Sequence, residues 1–154
     1  MTDSTRAGAL GRPVFYLMLV AALALVPACY SATYRREMGA AVNLLSGLGE
    51  KLADYCNGGF KVGDRPISSE EMGEFYYALN KAQAFRAMRR GQARRPSYRD
   101  FSTLLEQYAA FVHSADEYRI GGHVDPVALA ALIAQRDAVR KTASRVRADL
   151  AAEK

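Results

Sequence analysis

The chain lacks tryptophan altogether, and its 154 residues include only two cysteines, two histidines and five prolines. Two cysteines make no disulfide framework. No CxxC pair, CxxCH or HExxH occurs, which excludes zinc ribbons, c-type haem attachment and zincin chemistry. Glu-x-x-His, the ligand motif that di-iron bundles carry twice, is missing, and the serines offer no GxSxG nucleophile elbow. Cations exceed anions only modestly, 21 lysines and arginines against 16 aspartates and glutamates for a net charge of +5. That is far from the density of a dedicated nucleic-acid binder. There is no internal repeat, no low-complexity tract and no convincing strand. The expectation is therefore no metal, no cofactor and no nucleic-acid partner.

What the sequence does have is one long apolar run, Val14 to Cys29, preceded by Arg6 and Arg12 and interrupted at Pro27. A basic stretch, an apolar stretch and a small residue before a boundary make an export signal rather than part of a folded domain. The segment resembles a bacterial lipoprotein signal, whose lipobox ends in a small residue and the cysteine that becomes the lipidated first residue of the mature protein. Val26, Ala28 and Cys29 carry that resemblance. It implies residues 1–28 as signal peptide, lipid on Cys29, and a mature domain over 29–154 in the cell envelope, facing the periplasm or exterior. Tyr30 after the cysteine, by the same resemblance, favours the outer membrane of a diderm bacterium.

Other readings of this segment stay open. Val14 to Val26 is short of the roughly 20 residues a spanning helix needs, but extension to Ala32 or Tyr34 gives an uncleaved membrane anchor. Ala28 also suits ordinary signal-peptidase cleavage. A buried helix of a soluble domain is the last alternative, although such helices rarely run apolar on every face. Loss of residues 1–28 removes Arg6, Arg12 and Asp3, so the net charge drops by one from +5 to +4. With lipid on Cys29, Cys56 is the one thiol left and packs as a small hydrophobe. With Cys29 unmodified, a Cys29–Cys56 bridge is conceivable.

The remainder reads as all-α. Tyr34, Met38, Ala41, Leu44, Leu45, Leu48, Leu52 and Tyr55 recur at three- and four-residue steps and predict a helix from Thr33 to Cys56, stopped by Asn57-Gly58-Gly59. Phe60 to Pro66 is an extended connection. Ser68 and Glu71 form a capping box opening a second helix, whose apolar set is Met72, Phe75, Tyr76, Leu79, Ala82, Phe85 and Met88. After Arg95-Pro96, a third helix opens at Ser97 with Asp100 in the capping position and buries Phe101, Leu104, Leu105, Tyr108, Phe111, Val112 and Ala115. Gly121-Gly122 ends it. Asp125-Pro126 is an N-cap followed by proline at the first helical position, and Leu129, Leu132, Ile133, Val139, Ala143, Val146 and Leu150 mark the fourth face. Four amphipathic helices with short connections predict an up-down-up-down four-helix bundle behind the N-terminal segment.

No constellation for catalysis assembles. Glu106, His113 and Glu117 cluster opposite the third helix's apolar stripe, which makes His113 a solvent-face residue with a surface carboxylate. His123 is a loop histidine. Glu70, Glu71 and Glu74 sit where a helix dipole favours them. The polar feature above background is Arg86, Arg89, Arg90, Arg94, Arg95 and Arg99, straddling the turn between helices two and three, with a second row of Arg136, Arg140, Arg147 and Lys154. Dipole complementation accounts for Arg89 and Arg90 but not Arg94, Arg95 and Arg99, and guanidinium groups suit bidentate contact with phosphate or carboxylate. A solvated arginine-rich face is the plain alternative. Phe75, Tyr76 and Tyr77 cannot all point inward, so Tyr77 is the candidate interface aromatic. The sequence thus points to a non-enzymatic, membrane-anchored accessory protein that binds a protein partner or an anionic envelope component. A subunit whose uncleaved span packs in a membrane complex comes second, and a ligand-carrying bundle or enzyme third.

Overall fold

The computed structural model describes residues 11–122 and 125–153, with side chains from residue 31 onward. The protein is all-α, with four long helices: α1 (Gly11–Asn57), α2 (Ser69–Met88), α3 (Pro96–Gly121) and α4 (Pro126–Ala152). Two compact units divide it, Met1–Glu37 and Met38–Lys154. Pro27 does not end α1, contrary to the interruption expected there. The helix runs from Gly11 past it, against the usual cost of an interior proline, which removes one helical hydrogen bond and crowds the preceding turn. Among the described residues no helix is long and apolar enough to cross a membrane. The side chain of Cys29 lies outside the described residues, as do Arg6, His123 and Lys154.

One small sheet was not foreseen. Lys61–Val62 (β1) pairs antiparallel with Arg65–Pro66 (β2), Lys61 opposite Pro66 and Val62 opposite Arg65. The two-residue loop starts at Gly63, whose φ of 62° suits glycine at that place in a hairpin. Phe60 and Ile67 close its base through the Ile67 N–H to Phe60 carbonyl bond of 2.9 Å, and both are buried. Phe60 holds a left-handed φ of 57°, which costs a non-glycine residue about 1–2 kcal/mol. Burying its ring returns about 1.5–3 kcal/mol, enough to hold it there.

Helix ends follow local chemistry at two of three starts. Ser68 accepts the Glu71 N–H at 3.2 Å while Glu71 accepts the Ser68 N–H at 2.8 Å, completing the capping box. Asp125 accepts the Ala128 N–H at 2.7 Å, and Gly122 ends α3 in the left-handed region. The start of α3 departs from the expected cap. Its N-cap is Arg95, with no capping side chain. Ser97 instead lies inside the first turn, fully buried, and gives both its N–H and its hydroxyl to Glu153 at 2.9 Å. A carboxylate from the far end of the chain does the capping.

Within the larger unit, each helix meets its neighbours through specific pairs. Gly49 of α1 comes close to Val139 of α4, a Cβ there lying 3.5 Å from the valine methyl. Tyr55 packs edge-on against Phe75 of α2, and Phe85 of α2 against Phe101 of α3. All seven expected apolar positions of α3 are buried. On α1 the expected face is turned slightly. Val42 is buried and Leu44 is 42% exposed. On α2 the buried stripe stops at Ala82, leaving Met88 75% exposed.

Candidate functional site

The α2–α3 connection is rigidly built. The Arg89 N–H closes α2 on the Phe85 and Arg86 carbonyls, a 3-10 turn spans Arg90–Gln92, and Arg95 is extended (ψ 139°), the conformation favoured before a proline. The Tyr98 hydroxyl donates to the Arg86 carbonyl at 3.0 Å, tying α3 back to the end of α2. Arg95 binds Glu153 at 3.2 Å and is half-buried, so this member of the arginine set holds the turn together. The Arg89 guanidinium lies 5.8 Å from the Phe85 ring, in cation–π range. Arg90, Arg94 and Arg99 are exposed, and their side chains reach no carboxylate at ion-pair distance among the described residues. Arg86 is half-buried in the last turn of α2. Tyr77 is 68% exposed on the outer face of the same helix.

The second arginine row splits. Arg136 is drawn inward, 2.9 Å from Glu50 and 2.8 Å from Asp137. Arg147 donates to the Asn43 side chain at 3.1 Å. Arg140 is exposed and borders a shallow groove along α4 with Lys141 and Arg145. Arg145 also reaches Asp100 on α3 at 3.6 Å, which joins this groove to the arginine-rich turn. Asp149 lies between them, one carboxylate oxygen buried without a hydrogen-bond partner. Burial first, then Asp100 and Glu153, raise its pKa above the usual aspartate range.

His113 is exposed but not isolated. Its Nδ1 is 3.3 Å from the Tyr76 hydroxyl, which in turn donates to Asp116 at 3.1 Å. Asp116 binds Arg119 at 2.8 Å, and Arg119 also reaches the Ile67 carbonyl. This chain stitches α2 to α3 and to the hairpin. Tyr76 had been expected in the apolar stripe; it is half-buried, with its hydroxyl at the edge. Burial, with Asp116 next, raises the phenol's pKa. The Asp116–Arg119 pair was missed, although its (i, i+3) spacing on a helix is a signal that could have found it. Tyr76, 37 residues from His113, left no such signal. Nearby, Gly58, Phe60, Ile67, Tyr118 and Arg119 line a cleft of ≈ 440 Å³ at the hairpin end, with the guanidinium already held by Asp116.

Two of the carboxylates at the start of α2 are engaged as well. Glu71 takes both Arg65 amino groups at 2.8 and 2.9 Å. That bond, followed by the Ser68 N–H, holds its carboxyl far down, at about 2. Glu74 pairs with Lys51. Cys56 is buried, and burial pushes its thiol up to about 12. Among the described residues no group of three or more histidine, cysteine, aspartate or glutamate side chains is placed to hold a metal ion. No family model matches the chain, and no curated protein and no solved structure matches it either.

Proposed function

We propose that the protein is a cell-envelope lipoprotein, anchored through Cys29, that works by binding and not by catalysis. Its helical unit is an up-down-up-down four-helix bundle. The pairs Asn43–Arg147, Tyr76–Asp116, Ser97–Glu153 and Gln135–Ser114, each joining helices that run in opposite senses, support that topology. One observation carries the binding reading. Arg90, Arg94 and Arg99 project from a turn that Arg95, Glu153 and Tyr98 already brace, so these three cations are not needed to hold the fold. Such cations suit an anionic partner, because a guanidinium presents a rigid fork to phosphate or carboxylate. The bundle acts as an accessory subunit, with the turn and Tyr77 as its contact surface.

A second reading has its own support. α1 passes through Pro27 without a break, which is compatible with an uncleaved anchor, although no described helix is long and apolar enough to cross a membrane. The test is cell fractionation of wild type, Cys29→Ser and His113→Ala. Lipidation predicts that Cys29→Ser leaves the membrane fraction or accumulates unprocessed, with His113→Ala silent. Unchanged mass and unchanged membrane association of Cys29→Ser supports the single span instead. Loss of function in His113→Ala alone would turn attention to the Tyr76–Asp116 chain as a working site.

A further inference from the structure

The exposed arginines without a carboxylate at ion-pair distance among the described residues, Arg90, Arg94 and Arg99, gather at the end where the chain enters the unit. The first turns of the unit's part of α1 meet the last turns of α4 through Asn43 and Arg147. The end of α4 meets the start of α3 through Glu153 and Ser97, and the start of α3 meets the end of α2 through Tyr98 and Arg86. All four belong to one end. That end carries exposed Arg90, Arg94 and Arg99, and through the Arg145–Asp100 contact it continues into the α4 groove with Arg140 and Lys141. Met88, 75% exposed, stands beside the same turn. At the opposite end, Asp54, Glu70, Glu71, Glu74, Asp116 and Glu117 close α1, open α2 and close α3. Lys51, Arg65 and Arg119 pair with Glu74, Glu71 and Asp116 at that end, whereas Arg90, Arg94 and Arg99 stay without an ion pair among the described residues at the end where the chain enters the unit.

We infer that the basic end is a lipid-headgroup contact surface, seated on the phosphates of an anionic bilayer. This inference rests on the membrane-anchored reading above and names the partner that reading leaves general. An anchored chain holds this end near headgroups permanently, and opposite charge completes the match. A phosphate layer also suits three guanidiniums around a turn better than one protein carboxylate does. Exposed Met88 adds an apolar side chain beside the basic turn, a combination that suits a membrane surface.

The experiment separates the anchor from the surface. A full-length chain with Leu19→Asp and Leu23→Asp, which disable the apolar run, is sedimented with vesicles of phosphatidylcholine or of an equal mixture with phosphatidylglycerol. It is predicted to bind only the anionic vesicles, to release as salt rises, and to lose roughly a hundredfold in partitioning when Arg90, Arg94 and Arg99 become alanine, at about fivefold per cation. Absence of a preference for anionic vesicles, or full binding by the triple variant, overturns the proposal. A second measurement uses the unaltered chain embedded in the same two vesicle types and labelled with phenylglyoxal. Arg90, Arg94 and Arg99 are protected in the anionic vesicles alone, while Arg65 at the acidic end labels equally in both. Equal labelling of the three in both vesicle types contradicts the inference. Failure of the unaltered chain to sediment with phosphatidylcholine vesicles instead contradicts the anchor, and the anionic-vesicle result still judges the surface.

Discussion

Single side chains in this molecule are mostly settled by what they pair with, and two make sharp predictions. Tyr108 lies fully buried in the centre of α3 with its hydroxyl unpartnered. A buried donor without an acceptor costs about 1–3 kcal/mol. Tyr108→Phe is therefore predicted to raise stability by about 1 kcal/mol in denaturant unfolding, after the small loss of packing around the removed oxygen. A destabilised Tyr108→Phe contradicts the unpaired hydroxyl. Glu71 works the other way. Its carboxyl is held near 2 by Arg65 and the Ser68 N–H, against an ordinary value of 4.5. A carboxyl depressed in the fold contributes stability above its unfolded value and loses it as pH falls through the folded one. Wild type and Glu71→Gln are thus predicted to differ in melting temperature at neutral pH and to converge between pH 4.5 and 2. A constant difference across that window contradicts the account.

Elements divide by how much of their chemistry is local. The starts of α2 and α4 and the end of α3 were legible, because Ser68–Glu71, Asp125-Pro126 and Gly122 act within one turn of themselves. The stripe of α3 was legible in full, since this helix is packed against both α2 and α4 and each apolar position finds a neighbour. The start of α3 was not. Serine and aspartate near a helix start suggest a local cap, but the carboxylate that serves comes from Glu153, 56 residues away, and nothing in the spacing marks it. The Tyr76–His113 contact was hidden for the same reason. A two-residue hairpin has too few positions to show alternation, so β1 and β2 left no periodic signal. The Glu153 cap is testable. Glu153→Ala is predicted to cost about 1 kcal/mol, within the usual range for losing a cap. Ser97→Ala in the Glu153→Ala background adds less than it does alone, because the two act on one interaction. Additive effects in a double-mutant cycle would show that Glu153 does not cap α3.

At the scale of the whole larger unit, a filled apolar interior supports a surface on which Arg90, Arg94 and Arg99 stand at one end. Leu105 is buried in the middle of the most aromatic helix, and Leu105→Ala is predicted to cost about 2–5 kcal/mol. An unchanged melting temperature in that variant would contradict the packing. Arg90, Arg94 and Arg99, by contrast, touch no carboxylate at ion-pair distance among the described residues, so their replacement leaves the fold intact while removing the basic end. The central claim is the anchor, because it alone fixes which surface this end meets. The most direct test is the intact mass of the protein extracted from membranes. The account predicts a chain beginning at Cys29 whose mass exceeds that of residues 29–154 by a lipid group. A mass equal to the full 154-residue chain, or to residues 29–154 without lipid, would contradict it.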